Sequence, residues 1–357
     1  IVSYQTAINI NPDYAEAYHK LGRNFRKLNK YQEAIASYQK AININPNYAE
    51  AHNNLGNVFL KIEKYQEAIA SYQKAIKSNP NFAAVYYNLG NVFSYLSRHQ
   101  EAIKYFQQAI QIEPNNLSFH WQSMNTLPII YNNLKEIEVY GKKFEENIKK
   151  INQLLDTQSK YTKKQIINTL KSSTNFFLHY QGKNVLRLQK KYAQLVERLT
   201  KLIYPQFHKK RKKNRASKFI KIGFVSAFFR NHSVSKSRKN WILKLNQKKF
   251  KIYIYYPENR FDQITDLIKN HVDHFINNTN IDQLIHQISE DSLDVLFYLD
   301  IGMKPMMQIL GSLRLAPVQC NTWGHPVTSG LKNIDYFFSS ELMEKKDSQK
   351  HYSEKLI

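Results

Sequence analysis

Residues 31–46, YQEAIASYQKAININP, return almost unchanged at residues 65–80, YQEAIASYQKAIKSNP. The two stretches are 34 residues apart, and this interval recurs over the first third of the chain. It is kept by six columns: Pro12, Pro46, Pro80 and Pro114; Leu21, Leu55 and Leu89; Gly22, Gly56 and Gly90; Ala34, Ala68 and Ala102; Tyr38, Tyr72 and Phe106; Ala41, Ala75 and Ala109. Such a register predicts a stack of repeated structural units.

The residue types in the columns predict pairs of antiparallel helices. Glycine and alanine let two helices approach closely, and large residues such as Tyr38 fill the space beside them. Proline cannot continue a helix but starts one well, so it separates the pairs. The pattern resembles the tetratricopeptide repeat, with three full copies from about Asn11 to Glu113. Residues 1–8 match residues 35–42, so we expect the chain to begin in mid-repeat, as a piece of a longer one.

A helical solenoid of this kind has a concave surface lined by the first helix of each pair. Asn54 and Asn88 share one column of these first helices, and Lys20 takes that position in the first repeat. An asparagine side chain can bond both the N–H and the C=O of an extended peptide. The column therefore predicts peptide binding, and the alternative is a solvated polar face.

Composition limits the class of protein. With 357 residues we expect two or three domains. The single Cys320 excludes a disulfide framework and a four-cysteine zinc site, which favours a cytoplasmic location. No apolar run approaches eighteen residues, so no membrane partner is expected. The net charge of +24 attracts polyanions, but its one dense cluster, residues 208–215, has the features of an exposed linker, and nucleic acid is not expected as a partner.

The rest of the chain divides into two parts. We predict a solenoid at 1–116, a helical linker region at 117–215 and a Rossmann-like lobe at 216–357. Strands are predicted at 219–227, 250–256, 271–276, 293–299, 318–323 and 334–338, with helices at 261–270, 281–290 and 305–313. Alternating strands and helices indicate a parallel sheet, and ligands of such sheets bind beyond the carboxyl ends of the strands.

Three unusual loops follow the carboxyl ends of predicted strands, at residues 228–235, 300–304 and 323–330. In the third loop, Gly324 permits close backbone approach to a ligand, and Pro326 stiffens the turn. His325 offers a hydrogen bond or acts as a neutral spacer. Hydroxyls and amides suited to sugar or phosphate oxygens follow at Thr328, Ser329 and Gly330. The residues alone leave a ligand loop and an ordinary loop open.

Two motifs carry a family resemblance, KIGFVSAFFRNHSV (221–234) and RLAPVQCNTWGHPVTSGLKNIDYFFSS (314–340), together with YSEKL at 352–356. They resemble the O-linked N-acetylglucosamine transferases, especially their bacterial Spindly-type branch, in which repeats precede the catalytic domain. The resemblance implies a GT-B fold of two Rossmann-like lobes and transfer of N-acetylglucosamine from UDP-GlcNAc to Ser or Thr of proteins. It implies neither a cofactor nor a metal.

The resemblance also implies roles for particular residues. His232 and His274 match two histidines of the family's active-site cleft. Gly324 and Pro326 match the loop that faces the donor sugar and its phosphates, and His325 stands where the animal enzymes have tyrosine. Acceptor proteins would lie in the repeat groove along Asn54 and Asn88.

The sequence departs from the family at its end. Residues 216–357 account for the first lobe only, whereas the second lobe supplies the family's nucleotide pocket. We therefore expect the 357 residues to be inactive by themselves. The alternative is a non-catalytic tetratricopeptide scaffold that holds proteins. The sequence does not determine the oligomeric state, the identity of the general base, or the acceptor proteins.

Overall fold

The computed structural model describes residues 1–157, 161–212, 218–324 and 327–357, which form two compact units, 1–128 and 129–357. The first unit is a helical solenoid. Its helices are α1 (Val2–Ile10), α2 (Ala15–Lys27), α3 (Tyr31–Ile44), α4 (Ala49–Lys61), α5 (Tyr65–Ser78), α6 (Ala83–Tyr95), α7 (His99–Ile112) and α8 (Leu117–Asn125). The predicted fold of this part is confirmed.

Glycine sets the distance between the paired helices. A Cβ atom on Gly22 would lie 2.8 Å from the ring of Tyr38, and one on Gly56 would lie 2.7 Å from the ring of Tyr72. Real Cβ atoms essentially never come so near. The glycine and aromatic columns therefore form a single contact, in which each ring packs against its partner helix at a position that has no side chain.

The turn before each first helix repeats as well. Asn11, Asn45 and Asn79 each precede a proline, and each side-chain oxygen accepts a hydrogen bond from the backbone N–H two residues later, at 3.1–3.2 Å. This local bond competes with helix continuation and so ends the second helix of each pair.

The second unit contains a seven-stranded parallel sheet and the remaining helices. The helices are α9 (Leu134–Thr157), α10 (Lys163–Ser172), α11 (Leu186–Ile203), α12 (Ser233–Leu243), α13 (Gln263–Lys269), α14 (Ile281–Glu290) and α15 (Pro305–Ser312). The strands are β1 (Ile220–Val225), β2 (Phe250–Tyr256), β3 (His274–Asn277), β4 (Val295–Tyr298), β5 (Val318–Thr322), β6 (Tyr336–Phe338) and β7 (Lys355–Leu356).

The strand order is β3-β2-β1-β4-β5-β6-β7, and every pair is parallel. The chain runs outward from β1 to β3, returns to β4 beside β1, and then runs outward the other way. The order therefore reverses between β1 and β4, and the loops after these strands diverge there. The predicted parallel Rossmann-like sheet is confirmed, with α12 and the short β7 as additions to the predicted elements.

The motif RLAPVQ braces the start of β5. The Gln319 amide oxygen accepts from Leu315 N at 2.7 Å and Ala316 N at 3.2 Å, and its nitrogen donates to Leu313 O at 2.9 Å. The Arg314 guanidinium pairs with the Asp335 carboxylate at 2.6 Å. These bonds hold the strand that leads to the third loop.

The basic cluster of residues 208–215 is described as far as Lys212, and residues 213–215 lie outside the described part of the chain. Arg211 in this cluster is not free. Its guanidinium donates to Arg314 O and to Ser289 O, each at 3.0 Å. Part of the cluster therefore attaches this segment to the sheet domain.

We expect Gly56→Ala to lower the free energy of unfolding of the solenoid by about 2 kcal/mol, because its Cβ and the Tyr72 ring cannot both keep their places. Urea denaturation followed by circular dichroism measures the loss. Gly141→Ala, in α9 of the second unit, is the control for the type of substitution. Its Cβ would meet only Leu188 at 3.6 Å, and it should stabilise that unit by about 0.5–1 kcal/mol. Equal losses in both variants would contradict the close contact.

Candidate functional site

The candidate site lies where the strand order reverses, at the carboxyl ends of β1 and β4. Open α/β sheets bind ligands in the crevice at this point. The β1 strand leads into residues 226–232, and β4 leads into residues 299–304. Two of the three predicted loops are therefore neighbours, and the third begins one strand further on, after β5.

Asp300 ties the first two loops together. Its carboxylate is fully buried. It accepts a hydrogen bond from the Ala227 N–H at 3.3 Å and another from the Ser226 hydroxyl. Its Oδ1 atom has no hydrogen-bond partner among the described residues. Burial raises the pKa of Asp300 to about 7. A carboxyl group with such a pKa at the switch point is typical of a functional site and exchanges its proton near neutral pH.

His232 stands at the start of α12, as the residue that caps this helix. Its Nδ1 accepts the Val234 N–H at 3.2 Å, and its ring stacks on Phe228, with centroids 4.0 Å apart. Burial, and after it the positive charges of Arg230 and Lys304, lower the pKa of His232. Because Nδ1 accepts a hydrogen, the neutral ring carries its own hydrogen on Nε2.

Two cations accompany His232 at this edge. The Arg230 guanidinium lies 5.5 Å from the Phe228 ring centroid, and the Lys304 ammonium lies 5.9 Å from it. Neither cation forms an ion pair within the described residues. The edge therefore combines positive charge with a histidine donor, which suits an anionic ligand.

Gly324 brings the third loop against the second. A side chain at this position would overlap the carbonyl oxygen of Leu299 and come within 3.2 Å of the Asp300 Cα atom. The close approach seen at Gly324 is to protein backbone, and its predicted approach to a ligand stays a prediction. His325 and Pro326, the next two residues predicted for the site, lie outside the described residues.

The predicted hydroxyls of this loop are engaged within the protein. Thr328 Oγ1 donates to the Glu354 carboxylate at 2.5 Å, and Ser329 donates to the other oxygen of the same carboxylate. Both side chains are buried, and Gly330 packs against the backbone of Gln189 with a φ of 72°. Glu354 therefore fixes the conformation of residues 328–330. Ligand contacts of the Thr328 and Ser329 hydroxyls stay a prediction.

The structure does not bring His274 to the same edge as His232. His274 is the first residue of β3 and pairs in register with Tyr253, on which its ring stacks at 4.3 Å. Tyr253 pairs in turn with Gly223, two residues before the end of β1. At about 3.3 Å per residue, His274 lies below the carboxyl edge. Its catalytic role stays a prediction from the resemblance.

Arg238 is a further unusual residue near the third loop. Its side chain is 1% exposed, its Nε donates to Thr322 Oγ1 at 3.2 Å, and its guanidinium stacks on Trp323 at 3.8 Å. The two terminal nitrogens lack partners among the described residues, and burial lowers the pKa of Arg238 to about 10. Trp323 thus packs against a buried cation, which explains an aromatic residue in this turn.

Sequence reasoning missed Asp300, Arg238 and Glu354. Asp300 could have been singled out, since it directly follows a predicted buried strand and opens one of the three loops. Glu354 lies in the YSEKL motif, but its bonds to Thr328 and Ser329 span 25 or 26 residues, and the bond of Arg238 to Thr322 spans 84, so the sequence gave no sign of these contacts.

The peptide-binding candidates lie in the solenoid. The Asn54 side-chain nitrogen is 2.7 Å from His19 Nε2, and that of Asn88 donates to Asn53 Oδ1 at 2.9 Å. Each asparagine is thus bonded to the preceding repeat and half-buried, with its amide oxygen left to accept from a peptide N–H. Peptide binding here stays a prediction.

Among the residues whose placement is described, no group of three or more His, Cys, Asp or Glu could hold a metal ion. In the same residues, no helix has the length and apolar character needed to cross a membrane.

Comparison with known proteins identifies the class and then the family. Models of tetratricopeptide repeats match residues 22–63, 56–97 and 83–116. The model of glycosyl transferase family 41 matches residues 141–357, more than half of the chain. A repeat solenoid followed by a Rossmann-like glycosyltransferase sheet is thus the class of protein. The chain belongs to glycosyl transferase family 41.

Two relatives are similar over different lengths. A probable UDP-N-acetylglucosamine–peptide N-acetylglucosaminyltransferase of Arabidopsis thaliana, SEC, is 26% identical over 143 residues, 39% of this chain and 15% of the relative. The solved structure of a mutant O-GlcNAc transferase of Thermobaculum terrenum aligns with a TM-score of 0.59 at 17% identity. It covers 96% of this chain, which spans 56% of that one, and it supports the fold alone.

Asp300 predicts a pH dependence of stability. Its folded pKa of about 7 lies above the ordinary 3.8, so protonated Asp300 stabilises the fold below about pH 4, and this contribution is lost as pH rises towards 7. The loss amounts to at most about 4 kcal/mol at 1.36 kcal/mol per pKa unit. In Asp300→Asn, which cannot ionise, urea denaturation at pH 5 and pH 8 should show this loss reduced. The exposed Glu341→Gln should keep it, and an unchanged pH dependence in Asp300→Asn would contradict the assignment.

Glu354→Gln should destabilise the second unit by about 1–3 kcal/mol, because an amide cannot accept at both ends from Thr328 and Ser329. Thermal unfolding followed by near-ultraviolet circular dichroism measures the change. Glu341→Gln, on the surface, should be neutral, and a neutral Glu354→Gln would contradict the bracing role.

Proposed function

We propose that this protein transfers N-acetylglucosamine from UDP-GlcNAc to Ser or Thr hydroxyls of other proteins. The observation that carries the proposal is the grouping of His232, Arg230 and Lys304 at the switch point of a family 41 sheet. Transfer from a nucleotide sugar requires positive groups near the leaving diphosphate, and these cations have no acidic partner of their own among the described residues.

The proposed reaction is a single displacement with inversion. The acceptor hydroxyl oxygen forms a bond to the anomeric carbon, while the bond from this carbon to the diphosphate oxygen breaks. The hydroxyl proton passes to a base or a water chain, and the nucleotide diphosphate leaves with the electron pair. Cations at the edge stabilise the negative charge that develops on the diphosphate.

The geometry of His232 favours a donor role in this reaction. Its Nδ1 is occupied by the Val234 N–H, so Nε2 carries the hydrogen of the neutral ring. For Nε2 to act as a base, the ring hydrogen would have to move to Nδ1, and His232 would then lose its hydrogen bond to the first turn of α12. We therefore propose that His232 donates a hydrogen bond to a sugar or phosphate oxygen. Asp300 is proposed as a positioning residue, since its carboxylate holds Ser226 and Ala227 of the same loop.

Three further assignments belong to the proposal. Residues 1–116 hold the acceptor polypeptide along Asn54 and Asn88, residues 117–215 connect, and residues 216–357 form the first catalytic lobe. The described strands form one sheet, so the 357 residues alone are proposed to be inactive without a second Rossmann lobe. A cytoplasmic location rests on the single Cys320.

A non-catalytic protein-binding scaffold is the second candidate. It is favoured by the internal use of Thr328 and Ser329, whose hydroxyls bond Glu354. The two candidates differ in one respect that can be measured, which is the appearance of sugar on acceptor proteins.

His232→Asn should reduce sugar transfer at least about 100-fold while preserving the fold, because asparagine caps a helix well but lacks the Nε2–H donor of the imidazole. The assay uses the product of the full reading frame at the locus, with UDP-GlcNAc and mass spectrometry of modified Ser and Thr. The exposed His351→Asn is the control and should transfer normally. No transfer by the unsubstituted product would favour the scaffold, and full transfer by His232→Asn would remove this histidine from the site.

A further inference from the structure

One face of the solenoid changes its chemistry from the first repeat to the next two. The first helices α2, α4 and α6 lie side by side, joined by the bonds of Asn54 to His19 and of Asn88 to Asn53. In the column of Asn54 and Asn88 the first repeat has Lys20. Three residues further along the same face, where the later repeats have asparagine, it has Arg23.

The basic charge is confined to one end of this row of helices. α2 carries four basic residues and one acidic residue, α4 carries Lys61 and Glu50, and α6 carries no charged residue at all. Burial lowers the pKa of His19 most, and the positive charges of Arg23 and Lys20 lower it further. Their charges therefore reach the position at which Asn54 contacts the first repeat.

Because of Arg23, the first repeat lacks a hydrogen bond that the second repeat makes. There the buried Tyr72 hydroxyl donates to Asn57 Oδ1 at 2.9 Å. Tyr38 is the equivalent residue of the first repeat and is fully buried, but its hydroxyl has no partner among the described residues. A guanidinium has no acceptor atom, so Arg23 cannot replace Asn57. Asparagine would serve the fold better at this position, so the fold does not account for the arginine.

The two cations have little compensation within the repeat. Lys20 is partly exposed and lies 3.5 Å from the carboxylate of the exposed Glu16, and Arg23 is exposed and has no ion pair within the described residues. An exposed pair of this kind contributes little, so both cations can bind other carboxylates. The guanidinium of Arg23 suits a carboxylate in particular, because its fork bonds both oxygens.

We propose that Lys20 and Arg23 form a binding site for acidic side chains of the polypeptide that lies along Asn54 and Asn88. Asn54 and Asn88 hold an extended backbone whatever its sequence, and Lys20 and Arg23 select Asp or Glu at one end of the bound segment. The inference rests on the proposed function in so far as that polypeptide is the sugar acceptor, and it defines the class of acceptor.

The test measures peptide binding and not sugar transfer. Three fluorescent peptides of one length share a Ser/Thr-containing centre and carry Glu, Gln or Lys at the end residues. Fluorescence anisotropy with the 357-residue chain gives their dissociation constants at low and high salt. We expect the Glu peptide to bind about five-fold more tightly than the Gln peptide at low salt, and the difference to shrink as salt rises.

Lys20→Asn/Arg23→Asn gives the first repeat the asparagines of the other two. It should abolish the preference for the Glu peptide without lowering the affinity for the Gln peptide. Lys40→Asn/Lys74→Asn is the matched control, since it removes two exposed lysines from the second helices α3 and α5 and changes the net charge equally. Equal loss in the control, or an unaltered preference in the first variant, would overturn the proposal.

Thermal stability is a second measurement, and we expect it to change in the opposite direction to peptide affinity. Arg23→Asn offers Tyr38 the acceptor that Tyr72 has, so its thermal midpoint should rise while its affinity for the Glu peptide falls. A lower midpoint would show that the affinity loss came from damage to the repeat. A single-stranded oligonucleotide that displaces the Glu peptide and depends on the same two residues would assign the face to nucleic acid.

The two proposals fail separately. Absence of sugar transfer with an intact peptide preference would refute the proposed enzyme and leave the acidic-segment site in place. Transfer without any charge preference would do the reverse.

Discussion

The carboxylate of Asp300 is the interaction on which the candidate site depends. It lies fully buried where the strand order reverses and connects the loop after β4 to the loop after β1. The carboxylate bonds Ser226 and Ala227, and so it holds the residues from which the chain continues to His232. Gly324 closes the arrangement, since only a residue without a side chain can pass the backbone of Leu299 and Asp300.

The solenoid depends on a different constraint, which is the contact between glycine and an aromatic ring in each helix pair. This contact is internal to each repeat, so it leaves the outer residues of the first helices free to vary. The row of Lys20, Asn54 and Asn88 shows that freedom, because the fold of the three repeats is the same while the polar groups differ. A polypeptide bound along this row would meet chemically distinct positions on one regular scaffold.

Parts of the fold were predictable because their causes are local or periodic. The 34-residue interval predicted the repeats, and the alternation of strands and helices predicted the parallel sheet. The strands β1 to β6 lie where they were predicted, within a few residues. The short β7 was not predictable, since two residues carry no periodic signal and pair only because β6 is already in place. His274 was assigned by motif, and strand register places it below the edge where His232 lies.

By itself, the sequence determined the repeat architecture, the order of the two parts and the positions of the loops that follow the strands. Periodicity and strand ends depend on residues that are close together in the chain. Only the tertiary structure decided which side chains those loops engage. Thr328 and Ser329 meet Glu354, Arg238 meets Trp323, and Tyr38 lacks the acceptor that Tyr72 finds. The physical reason is that hydrogen bonds and ring contacts depend on distance in space, and folding alone sets that distance for residues far apart in the chain.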